Sequence, residues 1–278
     1  MSHTYLLVTA RHEVGLTSVS LGVVRAFDQA GQAVVFVKPI AQLRPGYAGP
    51  ERSTALIELA TRQRPPEPIP MDRAAELLAR GEEQILLEEV VARVKQARAA
   101  GAPAATPAVL IVEGLVPTDT APFATRLNVQ IARALDAEVV LVGTPEDGEP
   151  QQTAEHFRIA AHDYAGTEIA GCLLNKVRET ESGPVERVSG FLSQAGLSFH
   201  APGFERCVET YREALQAVGL RLLGAIPFRP ELGALRVGDV ARLLNAEVVR
   251  RGDMERRVLE VIVGAKAVPA VIESLTRG

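Results

Sequence analysis

Tryptophan is absent from the 278 residues, and Phe, Tyr and Trp together make up only 4%. A hydrophobic core must therefore rest on Val, Leu, Ile and Ala. Cysteine is nearly absent too. Cys172 and Cys207 stand in no metal-ligand spacing, which argues against a structural disulfide and fits a reducing cytoplasm. Positive charge is not in excess: the formal net charge is −4 and the pI near 5.8. A general nucleic-acid binder needs a basic face, so no nucleic-acid partner is expected. No apolar run is long enough to span a bilayer, and the N-terminus lacks the basic and apolar stretches of a secretory signal. A cytoplasmic protein with no membrane partner is the expectation. The histidines at 3, 12, 156, 162 and 200 form no metal-ligand set. His156 and His162 are wrongly spaced for one helix face and are expected on the surface, so no metal is assigned. No G-x-S-x-G elbow occurs and neither cysteine has a recognisable partner. No catalytic residue is assigned.

What is present is rhythm. Short, nearly continuous apolar runs lie at Tyr5–Thr9, Ala33–Val37, Ala108–Val112, Glu138–Val142, Ile169–Leu174 and Leu222–Ile226. Runs of this kind suit strands buried on both faces. Amphipathic stretches separate them at Gly15–Gly31, Glu83–Ala100, Ala124–Leu135, Gln151–Ala165 and Val208–Val218. Strand and helix alternating in this way predict an α/β fold, a parallel sheet with helices on both faces. Segment 43–82 carries six prolines, at 45, 50, 65, 66, 68 and 70, and is expected to be loops around a short helix at Thr54–Thr61. Residues 178–207 read as an excursion and Gly101–Pro107 as a linker. Past Pro227 the rhythm changes. Arg229–Gly233 reads as a linker, Asp239–Leu244 as a helix, Ala246–Val249 and Val258–Val263 as strands, and Val268–Leu275 as a last helix. The expected division is a domain at 1–229 and a small partial α/β segment at 230–278, too short to bury a core alone.

Residues 8–20 (VTARHEVGLTSVS) have the build of a phosphate-binding loop. A working loop reads G-x-x-x-x-G-K-[ST] between a strand and a helix; its amides cradle phosphates, its Lys reaches the terminal ones, and its hydroxyl holds Mg²⁺. The matching register here is Ala10 to Thr17. Gly15 and Thr17 are kept, the first Gly is Ala10, and the Lys is Leu16. The helix N-terminus still offers amides to an anion, with Ser18 in its first turn, but the charge that stabilises phosphoryl transfer is gone. The same residues would also serve a ligand-free turn, with Gly15 there for packing. Arg11 or Lys38 could supply a substitute cation.

Three other pairs fall just past strand ends, where ligands of parallel sheets bind. Lys38-Pro39 follows the second run, and Lys38 could hold an anion. Glu113-Gly114 follows the third run, within VLIVEG, at a place where an acid handles Mg²⁺ or caps a turn. Asn175-Lys176 ends GCLLNK, where Asn175 could read a base edge or cap a turn.

These segments in this order resemble a known family. VGLTSVSLGVVRAF, VVFVKPIAQ, VLIVEGLVPT, LNVQIARALDAEVVLV, GCLLNKV and LLGAIPF are similar to the N-terminal region of long bacterial phosphate acetyltransferases. That region is itself similar to dethiobiotin synthetase and cobyric-acid-type P-loop domains. In dethiobiotin synthetase the loop keeps G-K-T, and the Lys-Pro and Glu-Gly motifs serve nucleotide, metal and substrate. The resemblance carries those motifs to Lys38-Pro39, Glu113-Gly114 and Asn175. The synthetase's further metal-binding Asp has no clear match near Glu51–Thr54. The tail from Leu235 resembles the opening half of a DRTGG domain, without the Asp-Arg-Thr-Gly-Gly motif.

The resemblance implies a non-catalytic regulatory and oligomerisation region. Its parent reaction is acetyl-CoA plus phosphate giving CoA plus acetyl phosphate. It also implies self-association, and a C-terminal phosphate acetyltransferase catalytic domain as partner in cis or in trans. No cofactor is assigned with certainty; a nucleotide or other anionic effector could bind at Arg11, Gly15, Thr17, Ser18, Lys38, Glu113, Gly114 and Asn175. Two rival readings stand beside it: an ATP-dependent ligase of the dethiobiotin synthetase kind, against which Leu16 speaks, and a ligand-free assembly scaffold.

Overall fold

All six apolar runs form strands, and every strand pair is parallel. The computed structural model describes residues 3–11, 13–42, 49–101, 108–145, 149–178 and 202–258. The strands are β1 (Thr4–Thr9), β2 (Val34–Val37), β3 (Val109–Glu113), β4 (Glu138–Gly143), β5 (Ile169–Val177) and β6 (Leu222–Pro227). They lie in the order β2-β3-β1-β4-β5-β6. Between them run α1 (Leu16–Gln29), α2 (Arg52–Ala60), α3 (Met71–Ala79), α4 (Glu83–Gly101), α5 (Ala124–Leu135), α6 (Pro150–Asp163) and α7 (Pro202–Ala217).

The strands read as unbroken apolar runs because both faces are covered. Successive side chains point to opposite faces. Leu6, Val8, Val35, Val37, Leu110, Val112, Val139 and Leu141 belong to one buried cluster. Leu7, Val34, Phe36, Ile111, Val140 and Val142 belong to the other, packed with Leu16, Val19 and Val24 of α1 and Ile57 of α2. The first cluster takes in side chains of α3, α4, α5, α6 and α7. From β1 the chain passes over β3 to reach β2 and later returns past β1 to β4, which continues to β5, so the connections after the neighbouring strands β1 and β4 leave in opposite directions at their carboxyl ends.

Several expectations need correction. Segment 43–82 holds a second helix, α3, which begins at N-cap Pro70 and buries Ala74 and Leu77. The prolines end at the helix boundary rather than dissolving it, because a fixed φ suits the entry to a first turn. Helix α7 starts at Pro202, well before Val208, for the same reason. Strand β5 runs on to Val177, through register shifts against β6 between Leu174 and Val177.

The chain divides into two compact units, Met1–Pro227 and Phe228–Gly278. Within the second, Pro230–Gly233 forms a single helical turn (α8) where a linker is expected, and α9 spans Val237–Leu243. Ala246–Val249 is not a strand. Asn245 turns the chain with φ 51°, Val248 and Val249 are 46% and 93% exposed, and among the described residues no strand pairs with them. Residues 259–263 and the helix expected at Val268–Leu275 lie outside the described residues, as do 102–107 and 179–201.

Candidate functional site

The loop after β1 is shaped by left-handed backbone. Glu13 has φ 55° and Gly15, the N-cap of α1, has φ 80°. A Cβ at Gly15 would stand 2.9 Å from Asn175 Nδ2, so glycine is needed for both conformation and space. The first intrahelical bond runs from Val19 N–H to the Gly15 carbonyl at 3.1 Å. The amides of Leu16, Thr17 and Ser18 thus precede the helical ladder, and no acidic residue stands in that turn. The Leu16 side chain is 4% exposed and packs in the α1-side core. The position that carries lysine in a working loop is here part of the core.

Asn175 and Lys176 hold this loop from β5. Asn175 Nδ2 donates to the Val14 carbonyl at 2.7 Å, and its Oδ1 accepts from Lys176 N–H at 2.9 Å. Lys176 Nζ donates to the Glu13 carbonyl at 2.9 Å. Lys176 itself has φ 59°, at the bulged end of the strand. In a trans peptide the N–H points opposite to the C=O. Holding the carbonyls of Glu13 and Val14 towards β5 therefore turns the amides of Val14 and Gly15 the other way. Both polar groups of Asn175 have a local partner.

The other candidates converge on Glu113. Its Oε1 accepts from Ser53 Oγ at 2.6 Å, Lys38 Nζ at 3.2 Å and Thr17 Oγ1 at 3.3 Å. Thr17 and Ser53 hydroxyls lie 3.0 Å apart. Lys38 Nζ also donates to the Gly114 carbonyl at 2.7 Å. Lys38 and Glu113 are each 2% exposed, so this is a buried ion pair. Glu113 Oε2 is buried and has no hydrogen-bond partner among the described residues. Gly114 is required by its surroundings: a Cβ there would fall 2.9 Å from both Asn128 Oδ1 and Val8 Cγ1. Asn128 fixes the next turn by accepting from Leu115 N–H and donating to the Leu115 carbonyl, each at 2.8 Å. It also donates to Tyr164, whose phenol is pushed up to about 12, chiefly by burial.

Ser53 was not among the residues singled out from the sequence. The acid within Glu51–Thr54, Glu51, caps α2 by accepting from Thr54 N–H at 2.8 Å. The side chain that reaches Glu113 is instead the serine hydroxyl between them. Arg11 lies elsewhere: with Thr9, Ala10, His156 and Tyr164 it lines a cavity of about 270 Å³ beside α6. His156, expected on the surface, is half-buried. Ser18 is exposed on the first turn of α1. Among the described residues no group of three or more His, Cys, Asp or Glu could hold a metal ion. Nor is any helix among them long and apolar enough to cross a membrane.

A strand, a glycine-capped loop, a helix with open amides, and an acid at the end of the adjacent strand make a P-loop arrangement. The family model described as AAA domain matches residues 3–236. The chain belongs to that family. It is also similar to phosphate acetyltransferases: 38% identical over 282 residues to that of Pseudomonas aeruginosa, covering 99% of this chain and 37% of that protein. The phosphate acetyltransferase of Escherichia coli is 33% identical over 284 residues, covering 100% of this chain and 38% of the relative. That of Deinococcus radiodurans is 34% identical over 280 residues, covering 99% and 36%. The chain thus spans little more than a third of these relatives, and it is homologous to their N-terminal portion.

Proposed function

We propose that this chain is a regulatory and oligomerisation region of a phosphate acetyltransferase-like protein, and that its loop holds an anionic effector without turning it over. The parent activity would be transfer of an acetyl group between CoA and phosphate, carried out by a catalytic domain acting in cis or in trans. On this reading residues 1–229 form the effector-binding domain and 230–278 the opening part of a DRTGG-like domain.

The observation that carries the reading is the pairing of open α1 amides with a core-packed Leu16. Amides at a helix N-terminus favour a bound anion in its ground state. A loop lysine supports the transition state, where charge migrates to the leaving oxygen. A site with the first and not the second is suited to binding. Regulation follows only if two states of the assembly bind the effector unequally.

The test uses the intact acetyltransferase-like protein and the same protein without residues 1–278. Acetyl phosphate formation and solution mass are measured across a series of anionic metabolites. The expected result is that removal changes the metabolite response or the assembly size, and that the region alone does not turn over Mg-ATP. Steady Mg-ATP turnover by this chain would overturn the reading in favour of a ligase-type enzyme. An unchanged response and unchanged mass would overturn it as well.

A further inference from the structure

We propose that the anion held at the α1 end is inorganic hydrogenphosphate, and that Glu113 selects it by accepting a hydrogen bond from its P–OH. This rests on the anionic-effector reading above. The two oxygens of Glu113 are unequally served. Oε1 accepts from Ser53, Lys38 and Thr17, whereas Oε2 accepts from nothing among the described residues, although the side chain is 98% withdrawn from solvent (2% exposed). An ionised carboxylate is acceptor-only, and a buried acceptor without a donor is costly. Lys38 already supplies the counter-charge at 3.2 Å. Among the described residues, what Oε2 lacks is therefore a hydrogen-bond donor rather than a second cation.

The two oxygens share one carbon, so Oε2 lies at the same end of α1 as the oxygen bonded by Thr17, the second residue of that helix. The same helix end offers only donors, the amides of Leu16, Thr17 and Ser18. A ligand that satisfies both must bring acceptor oxygens to the amides and an O–H to the carboxylate. Hydrogenphosphate has both. Sulfate has nearly the same shape and charge but no proton, and would set an oxygen against Oε2. A phosphate monoester is mostly unprotonated at neutral pH, its second pKa being about 6, so the esterified phosphates of a nucleotide meet the same repulsion. Thr17's hydroxyl is the loosest of the contacts on Glu113, at 3.3 Å, and has Ser53 as a second partner at 3.0 Å. It can turn aside to admit the ligand without losing all its hydrogen bonds.

Isothermal calorimetry and thermal shift on this chain at pH 7.5 and constant ionic strength test the proposal with four tetrahedral anions. Phosphate and arsenate carry a proton; sulfate and selenate do not. Phosphate and arsenate are expected to bind at least about tenfold more tightly than sulfate and selenate, since an unpaired buried polar group is what the latter pair would leave. Equal binding of all four would overturn the selectivity and leave the anionic-effector reading standing. No binding by any would overturn the proposal of a phosphate site, while the anionic-effector reading would be decided by the metabolite series above. In Glu113→Gln the carboxamide N–H can face the anion, so the phosphate preference should collapse or invert; a retained preference would also overturn the proposal. The wild-type series decides the matter even if that variant does not fold.

Discussion

Removing Lys38 should show what the buried pair is worth. In Lys38→Met the Glu113 carboxylate stays 2% exposed and loses its counter-ion at 3.2 Å. Breaking one side of a buried ion pair costs about 3–5 kcal/mol, because the remaining charge is uncompensated. Ser53 and Thr17 continue to donate to Glu113 Oε1, at 2.6 and 3.3 Å, which puts the expected loss near the lower end, about 3 kcal/mol. Glu113→Gln leaves the ammonium with the Gly114 carbonyl at 2.7 Å and should cost a similar amount. The double variant buries no unpaired charge. It should cost about 3 kcal/mol in all, well short of the sum of the singles, giving a coupling of about 3 kcal/mol. With no tryptophan to follow, unfolding is read by circular dichroism in urea, taking the sheet-bearing unit's transition. Each single variant should also lower Tm by about 6–12 °C. Single losses below about 0.5 kcal/mol, the range of ordinary surface substitutions, would refute the reasoning, and so would an additive double variant.

Gly15→Ala forces an L side chain to φ 80° and drives its Cβ to 2.9 Å from Asn175 Nδ2, so a loss of about 1–2 kcal/mol in urea unfolding is expected, with weaker phosphate binding by calorimetry. Gly114→Ala meets Val8 Cγ1 and Asn128 Oδ1 at 2.9 Å and the Leu7 carbonyl at 3.1 Å; it should cost about 1–3 kcal/mol, and a neutral result would mean that the turn after β3 gives way freely. Burial raises the Cys172 thiol from 9.0 to about 12 and the Tyr164 phenol from 10.0 to about 12. Both groups stay protonated longer in the folded chain than in the unfolded one. Their contribution is full below about pH 9 and is lost as pH climbs towards 12, so stability should fall across that alkaline range. Iodoacetamide at pH 8 should accordingly leave Cys172 unmodified until the chain is unfolded; rapid labelling of the folded chain would contradict this.

The sheet was legible because its strands are buried on both faces, which turns each into a continuous apolar run that needs no partner to be noticed. Leu6 and Leu7 are both buried, against different helices. The helix at Met71–Ala79 was not legible, because the prolines before it signal a loop and a helix entry equally well. The site was legible where the chain position itself implies a place in the fold. Lys38 follows β2, Glu113 ends β3 and Asn175 lies near the end of β5, and strand ends share one rim of a parallel sheet. Ser53 was hidden because nothing local marks it. Its part depends on α2 carrying it to a residue sixty positions away, the 2.6 Å contact with Glu113. Ala246–Val249 misled because β-branched residues favour strands only beside a neighbouring strand, and among the described residues none pairs with these.

On the proposed function, the lysines at the site bear on how binding and turnover would separate. A P-loop lysine works by following charge as it moves from the transferred phosphoryl group to the leaving oxygen, so it must be free to bond both. Leu16 places a hydrocarbon in the core where that lysine would begin. Lys38 lies on the same rim, but its ammonium is held by Glu113 and the Gly114 carbonyl inside the protein. Lys176 reaches the loop, yet bonds the backbone of Glu13 and so orients amides instead of contributing a mobile charge. Each cation is already engaged within the protein before any ligand arrives. Interactions that are equally strong in the ground state and the transition state increase affinity without increasing rate. An anion seated on these amides would therefore be retained rather than transformed, and its occupancy would follow its concentration, which is what an effector site requires.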